Sequence, residues 1–396
     1  MIDGDTYVHF WPFGREFAAA QVGNRSCSKS RTSGLAAFLQ VEGSQWRLAF
    51  QNGTGLIELG IRTDLMRKAA ALLPPSLLRP LAGPVAVFFH GVERKIADPD
   101  VQENHHRAEE FAEIARALKI HFDVTPISEL EHVLRRPARH RRTVFLMSDD
   151  GYANTLSVAA PILRQLKLPW TLFVSTQHID ENELSPMFLA RTFLRQASDG
   201  CYRLPHFDQP VYLNGMRHVT GAEVIERLRF FPATAAKQAI NAMLSALGRS
   251  AESIHAAHPS EHFLTWNGVR ELSRSGVTIG AHADLHWAMH PFEDLQLLRK
   301  QAARPRQRIE EKVGPCRYFA YPFGNTRDIG RDAWQAVRDA GYDFAFTTLG
   351  GTLNARQNPW LLPRYGLHRR EPYLPSVLPL LRFANRRVSQ WHRALT

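Results

Sequence analysis

Cysteine is scarce: Cys27, Cys201 and Cys316 are the only three in 396 residues. They are odd in number, far apart and form no CxxC pair, which argues against a disulfide framework and a thiolate metal site. Long apolar runs are missing as well. No stretch reaches the ~18 consecutive apolar residues of a membrane span. The opening "MIDGDTYVHFWPFG" lacks a basic region followed by an apolar one, so no secretory leader is expected there. A cytoplasmic protein is the resulting expectation, with peripheral contact to a membrane face left open. Neither repeats nor low-complexity segments occur. Acidic residues are outnumbered, 38 against 49 Lys and Arg, for a formal net charge of +11. Such a field favours anionic partners. The basic residues are scattered, however, and not interleaved with aromatics as in RNA-binding modules, so nucleic acid is not expected as a partner.

What is present is enough apolar material for a sizeable core, 44% of the chain. Residues 1–65 contain "GLAAFLQVEGSQWRLAFQNGTGLIELGI", short apolar runs broken at "EGS" and "NGTG", which reads as a small β-rich extension. Residues 66–83 read as a linker helix. Met66 also offers an alternative translational start that would make the first 65 residues non-native; a peptide from them in the native protein contradicts this. From residue 84 to 370 the rhythm changes. The runs "VAVFF" (85–89), "HFDVT" (121–125), "TVFLM" (143–147), "TLFV" (171–174), "VTIGA" (277–281), "RYFAY" (317–321) and "DFAFT" (343–347) alternate with helical patterns such as "AEEFAEIARALK". Near-continuous apolar strands alternating with helices predict a parallel sheet covered by helices, and seven of them suggest a barrel. Residues 185–262 interrupt the alternation and read as a helical insertion over one face. Residues 371–396 form a basic amphipathic tail, expected to pack on its own domain rather than on a membrane.

The polar residues at the ends of those strands carry the chemistry. His90 follows the first strand, Asp149 and Asp150 the third, and His282 the fifth, with His286 four residues on; "PFG" (322–324) follows the sixth. Parallel α/β folds build ligand sites at the carboxyl ends of their strands, so these groups are expected on one rim. Two adjacent carboxylates repel unless a cation lies near them. A metal resolves the conflict, with one Asp as ligand and the other free to handle a proton. His282 and His286 are expected to face one way across a single helical turn. Two imidazoles and a carboxylate form a common catalytic zinc set with a position open for water. Each feature alone is weak: eighteen histidines occur here, and Asp-Gly is ordinary turn chemistry. Their succession on neighbouring strand ends is the signal. His105 and His106 in "ENHHRAEEF" read as a solvated helix-cap region.

"SDDGYANT", "GAHADLH" and "FAYPFGN", in this order, resemble the first three motifs of the polysaccharide deacetylases, the NodB-homology or carbohydrate esterase 4 group. "FFHGV", "APILRQLKLPWTLFVST" and "LTWNGVRELSRSGVTIGAH" agree with the resemblance, which covers roughly residues 84–368. It implies an α/β fold, a distorted (β/α)7 barrel, here with the β-rich extension and the helical insertion. It implies a divalent metal, usually zinc, and removal of N-acetyl groups from amino sugars, with O-acetyl esters as an alternative substrate. Carried over by residue, Asp150, His282 and His286 resemble the metal triad and Asp149 the general base. Phe323 resembles the backbone oxyanion donor, with His90, Tyr321, Pro322 and Gly324 lining the substrate site. The chain also departs from the pattern. The Arg that usually orients the base is replaced by Ala320, and Arg364 in "LPRYGLH" is the candidate substitute. Ala283 stands where a Ser or Thr usually follows the first metal His. The last motif, Leu-x-His, has only His368 as a nearby candidate acid. A barrel that has lost turnover and merely associates with glycan or membrane is therefore the competing expectation.

Overall fold

In the computed structural model, the described residues are 36–42, 45–52, 55–62, 82–215, 217–367 and 374–395. The expected linker helix and His368 lie outside them. The chain divides into two units, Met1–Pro74 and Pro75–Thr396. In the first, the strands Ala36–Glu42, Gln45–Asn52 and Gly55–Arg62 pair antiparallel as a meander.

The second unit is built on eight parallel strands: β1 (Val85–Phe89), β2 (Asp123–Val124), β3 (Thr143–Ser148), β4 (Thr171–Val174), β5 (Thr278–Ala281), β6 (Tyr318–Ala320), β7 (Phe344–Phe346) and β8 (Tyr365–Gly366). The order is β7-β6-β5-β4-β3-β1-β8, and β2 pairs with the start of β3. All seven expected strands form; β8, two residues long, was not legible as one. It matters because it closes the ring. Tyr365 and Gly366 pair with Val87 and Phe88 of β1, and three residues earlier Leu362 bridges Phe346 of β7. This is the distorted (β/α) barrel.

Side chains alternate across each strand as the pleat requires. Val85, Val87 and Phe89 of β1, Val144 and Leu146 of β3, and Leu172 and Val174 of β4 pack outward with the helices. Ala86, Phe88, Phe145, Met147, Phe173, Tyr318, Ala320, Phe346 and Leu362 turn inward and fill the lumen. Ile127, from the 3-10 turn after β2, and Leu130, Val133 and Leu134, from the helix Leu130–Arg135, join that inner cluster. This parity decides which residues beyond the strand ends face the site.

Helices Pro186–Gln196, Arg217–Arg229, Ala233–Leu247 and Ala251–Ala257 of the insertion bury a separate cluster that includes Phe188, Phe193, Leu228, Ile240, Met243 and Ile254. The tail forms helices Leu374–Leu380 and Asn385–Leu395. It packs on its own unit: Leu374, Val377, Leu378 and Leu381 join the main core, and His392 Nε2 bonds the Leu361 carbonyl at 2.9 Å. No helix among the described residues is long and apolar enough to cross a membrane.

Candidate active site

Inward parity at Phe145 and Met147 continues to Asp149, just past the end of β3. Its backbone N–H bonds the Phe89 carbonyl at 2.9 Å, which ties it to β1. Asp150 then takes φ 74, a left-handed conformation that non-glycine residues rarely adopt and that clusters at functional sites. Parity also places His282 on the rim after β5, where its N–H bonds the Val174 carbonyl of β4. The expected helical turn between His282 and His286 does not form. The segment is irregular, with left-handed kinks at Ala283 (φ 56) and His286 (φ 49). These kinks, rather than a helical period, bring the two rings to 5.1 Å.

Asp284, between the two histidines, braces this loop. It is fully buried. Arg304 Nη1 donates to both its carboxylate oxygens at 2.8 and 2.6 Å, and Thr176 Oγ1 donates at 2.8 Å. The sequence reading missed it, although a carboxylate set between two candidate ligands was a visible signal.

Asp150, His282 and His286 present donor atoms that all lie within 4.8 Å of one another. Asp150 Oδ1 is 3.2 Å from His282 Nε2 and 3.0 Å from His286 Nε2. His282 Nδ1–H donates to the Ala320 carbonyl at 2.8 Å. That bond leaves the Nε2 lone pair facing Asp150, the arrangement typical of a metal-ligating histidine. Asp150 Oδ1 is buried with no hydrogen-bond partner. A buried acceptor left without a donor, flanked by two imidazoles, fits a divalent cation. Burial pushes the Asp150 carboxyl up, but the charges of His286 and His90 outweigh it and hold the group well below the ordinary range.

Asp149 is met from across the lumen by Arg364. Leu362 faces inward and Tyr365 outward, so Arg364 points into the barrel just before β8. Its Nη1 and Nη2 donate to the two Asp149 oxygens at 2.7 and 2.8 Å, and Nε donates to the Thr347 carbonyl at 3.0 Å. The guanidinium lies 4.3 Å from the Phe88 ring centroid. Ala320, at the usual arginine position, faces the same lumen, and the cation that meets Asp149 comes instead from the residue before β8. Burial raises the Asp149 carboxyl, and the charge of Arg364, followed by His282, overcomes that and holds it below the usual range.

The other expected residues divide. His90 is half-buried beside the cluster, 5.5 Å from the Phe88 ring; burial lowers its basicity more than Asp150 and Asp149 raise it. Pro322 and Phe323 form a tight turn at the rim, with Phe323 at φ 58 and its ring 5.5 Å from that of His286. Gly324 is required there. It has φ +64, and a Cβ would meet the Thr348 backbone N at 2.9 Å. Tyr321 is a correction. Strand parity turns it outward with Phe319, its side chain is wholly buried, and its hydroxyl donates to the Trp360 carbonyl at 3.1 Å, so it packs the core instead of lining a substrate site. His105 and His106 are also corrected: both are buried rather than solvated. The His105 ring packs 4.7 Å from Tyr152.

His178 went unnoticed in the sequence. It is 2% exposed, stacks on Phe263 at 4.7 Å and 13°, and lies 6.2 Å from the His286 ring. Burial, then the neighbouring His286, pushes it down to about 3.

Glu261, at the end of the insertion, accepts from Gln102 Nε2 at 3.0 Å. Burial pushes its carboxyl up to about 7 from 4.5, against the opposing hydrogen bonds of Gln102 and Ser260. The folded state therefore binds this proton more tightly than the unfolded chain. Stability from it is complete below pH 4.5, falls as pH rises towards 7 and is flat above. Glu261→Gln should be nearly neutral at pH 5 and stabilise by about 2 to 3 kcal/mol at pH 8, read by denaturant unfolding. An equal effect at both pH values would contradict this.

Fold and rim together describe an α/β-barrel hydrolase. The polysaccharide deacetylase family model matches residues 136–345, more than half of the chain, and the chain belongs to that family. Among solved structures it is similar to the Streptococcus pyogenes deacetylase PplD in complex with acetate, at 13% identity over 76% of this chain and 98% of that one, TM-score 0.49. It is also similar to IcaB from Ammonifex degensii, at 18% identity over 75% and 97%, TM-score 0.48. A third is a de-N-acetylase from Aggregatibacter actinomycetemcomitans, at 17% identity over 72% and 95%, TM-score 0.42. No curated protein matches the chain.

Proposed function

We propose that this protein removes N-acetyl groups from the amino sugars of a poly- or oligosaccharide, using a divalent ion held by Asp150, His282 and His286. The ligand chemistry suits zinc best. A divalent ion there would act as a Lewis acid towards an acetyl carbonyl and make a neighbouring water more acidic. Asp149 takes the proton from the attacking water. Arg364 keeps that carboxylate ionised and fixes its two oxygens, doing what the family's usual arginine does from the position of Ala320. The Ala320 carbonyl orients His282, and Asp284 with Arg304 holds the loop that carries both imidazoles. The Phe323 backbone N–H is assigned to the developing oxyanion, the group whose stabilisation contributes most in acyl transfer.

One observation carries the reading against a barrel that has lost turnover. Asp149 is buried, paired on both oxygens with Arg364, and 3.9 Å from His282 Nε2. A replacement cation from a different strand is supporting evidence that the base is in use. The test is acetate release from a panel of acetylated chito-oligosaccharides with zinc supplied. Acetate from these amides is the expected result. Bound metal without acetate from any substrate favours the inactive barrel, and release from acetylxylan-type esters alone favours an O-acetyl esterase.

A further inference from the structure

The insertion meets both rim loops through the few residues that end and follow its helix Arg217–Arg229. The Phe231 carbonyl accepts from Trp287 Nε1 at 2.9 Å and from His290 Nε2 at 3.1 Å. The Ala233 N–H donates to the Glu293 carboxylate at 2.8 Å. These bonds tie down the chain that leaves His286. Arg229 reaches the other loop, the turn at 322–324. Its guanidinium lies 5.5 Å from the Phe323 ring centroid, within the ~6 Å range of a cation–π contact. Its Nε is 3.0 Å from Asp328 Oδ1. Asp328 is fully buried, and its other oxygen accepts the Asn325 N–H at 2.8 Å, directly after the turn.

The turn needs such support. Phe323 sits at φ 58, a left-handed conformation that a non-glycine residue keeps only where its surroundings impose it. Its backbone is tied locally: the Gly324 N–H donates to the Pro322 carbonyl at 2.6 Å, and the Thr348 hydroxyl and N–H donate to the Phe323 and Gly324 carbonyls at 2.6 and 2.9 Å. Those bonds fix carbonyls and leave the ring to its packing. The ring rests against the insertion's apolar cluster and meets Trp287 edge-on at 6.3 Å. Arg229 adds a contact that is itself anchored, by the buried Asp328 on one side and by Glu226 at 3.3 Å on its own helix. A turn gripped at its side chain and at its exit has little freedom to rotate its peptide N–H.

We propose that Arg229 is a positioning residue, through which the insertion holds the Phe323 N–H in line with the developing oxyanion. Misplacing a catalytic group by about 1 Å can cost 10²-fold in rate, so a grip on this turn acts on turnover and not only on folding. The insertion then contributes to the reaction as well as covering a face of the barrel. The catalytic role rests on the deacetylase reading; the grip of Arg229 on the turn does not.

The test compares wild type with Arg229→Met and with the double variant Arg229→Met/Asp328→Asn, which strands no buried carboxylate and keeps an acceptor for Asn325. Arg227→Met, on the same helix but paired with Asp208, is the control. Hydrogen exchange of the amides of residues 323–328 should speed at least tenfold in both Arg229 variants and stay unchanged in the control. With zinc supplied, kcat for acetate release should fall at least tenfold at unchanged KM and unchanged zinc stoichiometry, the split expected when only transition-state binding is lost. Arg229→Lys, which keeps a cation, should recover much of the rate. Unchanged exchange in both Arg229 variants would overturn the proposal. So would faster exchange with kcat intact, or an equal loss of kcat in Arg227→Met. Faster exchange with no acetate released even by wild type would leave the grip standing, and would sink the deacetylase reading and the catalytic role with it.

Discussion

Asp149→Asn is expected to lower acetate release by about 10²- to 10⁴-fold, the range for loss of a general base, while the divalent ion stays bound. The separation of the two effects follows from the geometry. Asp150 Oδ1, His282 Nε2 and His286 Nε2 form the close donor set, whereas Asp149 spends both oxygens on Arg364. The amide keeps the shape but cannot take a proton. It also removes the partner of a fully buried guanidinium, so the variant should unfold more easily, and activity must be compared per folded molecule. Loss of metal together with activity would mean that Asp149 is a ligand and that the division of labour between the two aspartates is wrong.

Arg364→Met should be the most destabilising single change at the site, by about 3 to 5 kcal/mol, because it strands a buried carboxylate. Methionine fits the volume beside Phe88 and Phe173 and brings no charge. Activity should fall with stability, since Asp149 loses both its orientation and the charge that keeps it ionised. The double variant Asp149→Asn/Arg364→Met should recover much of the stability of either single change, as expected when a buried pair is replaced by uncharged groups, and none of the activity. Chemical denaturation of the four proteins gives the coupling directly. Additive losses in the double variant would show that the two side chains do not depend on each other.

Much of this site was legible in the sequence because strand endings are local features. "VFLMSDDG" and "VTIGAH" each pass from a buried run to chemistry within a residue or two, and the barrel's order places those endings on one rim with only β4 between them. What was not legible depended on parity and on long-range closure. Tyr321 adjoins the motif in sequence, yet the two-residue period of β6 turns it into the helical layer. The motif around Arg364 marks it as the orienting cation, but its inward direction is not readable from a segment too short to show periodicity; it is set by Leu362 pairing with β7 and Tyr365 with β1. The convergence of His282 and His286 came from two left-handed backbone kinks, for which no local pattern of residue types gives warning. His178 stood in an unremarkable stretch, "STQHID", and only the fold reveals a ring buried against Phe263.

The most direct measurement is the stoichiometry of zinc or cobalt bound to the purified protein after metal-free preparation and titration. One ion per chain in wild type, retained in Asp149→Asn and lost in both Asp150→Ala and His282→Ala, is the result predicted. A wild-type chain that takes up no ion, or an Asp150→Ala variant that binds it as tightly as wild type, would contradict the account.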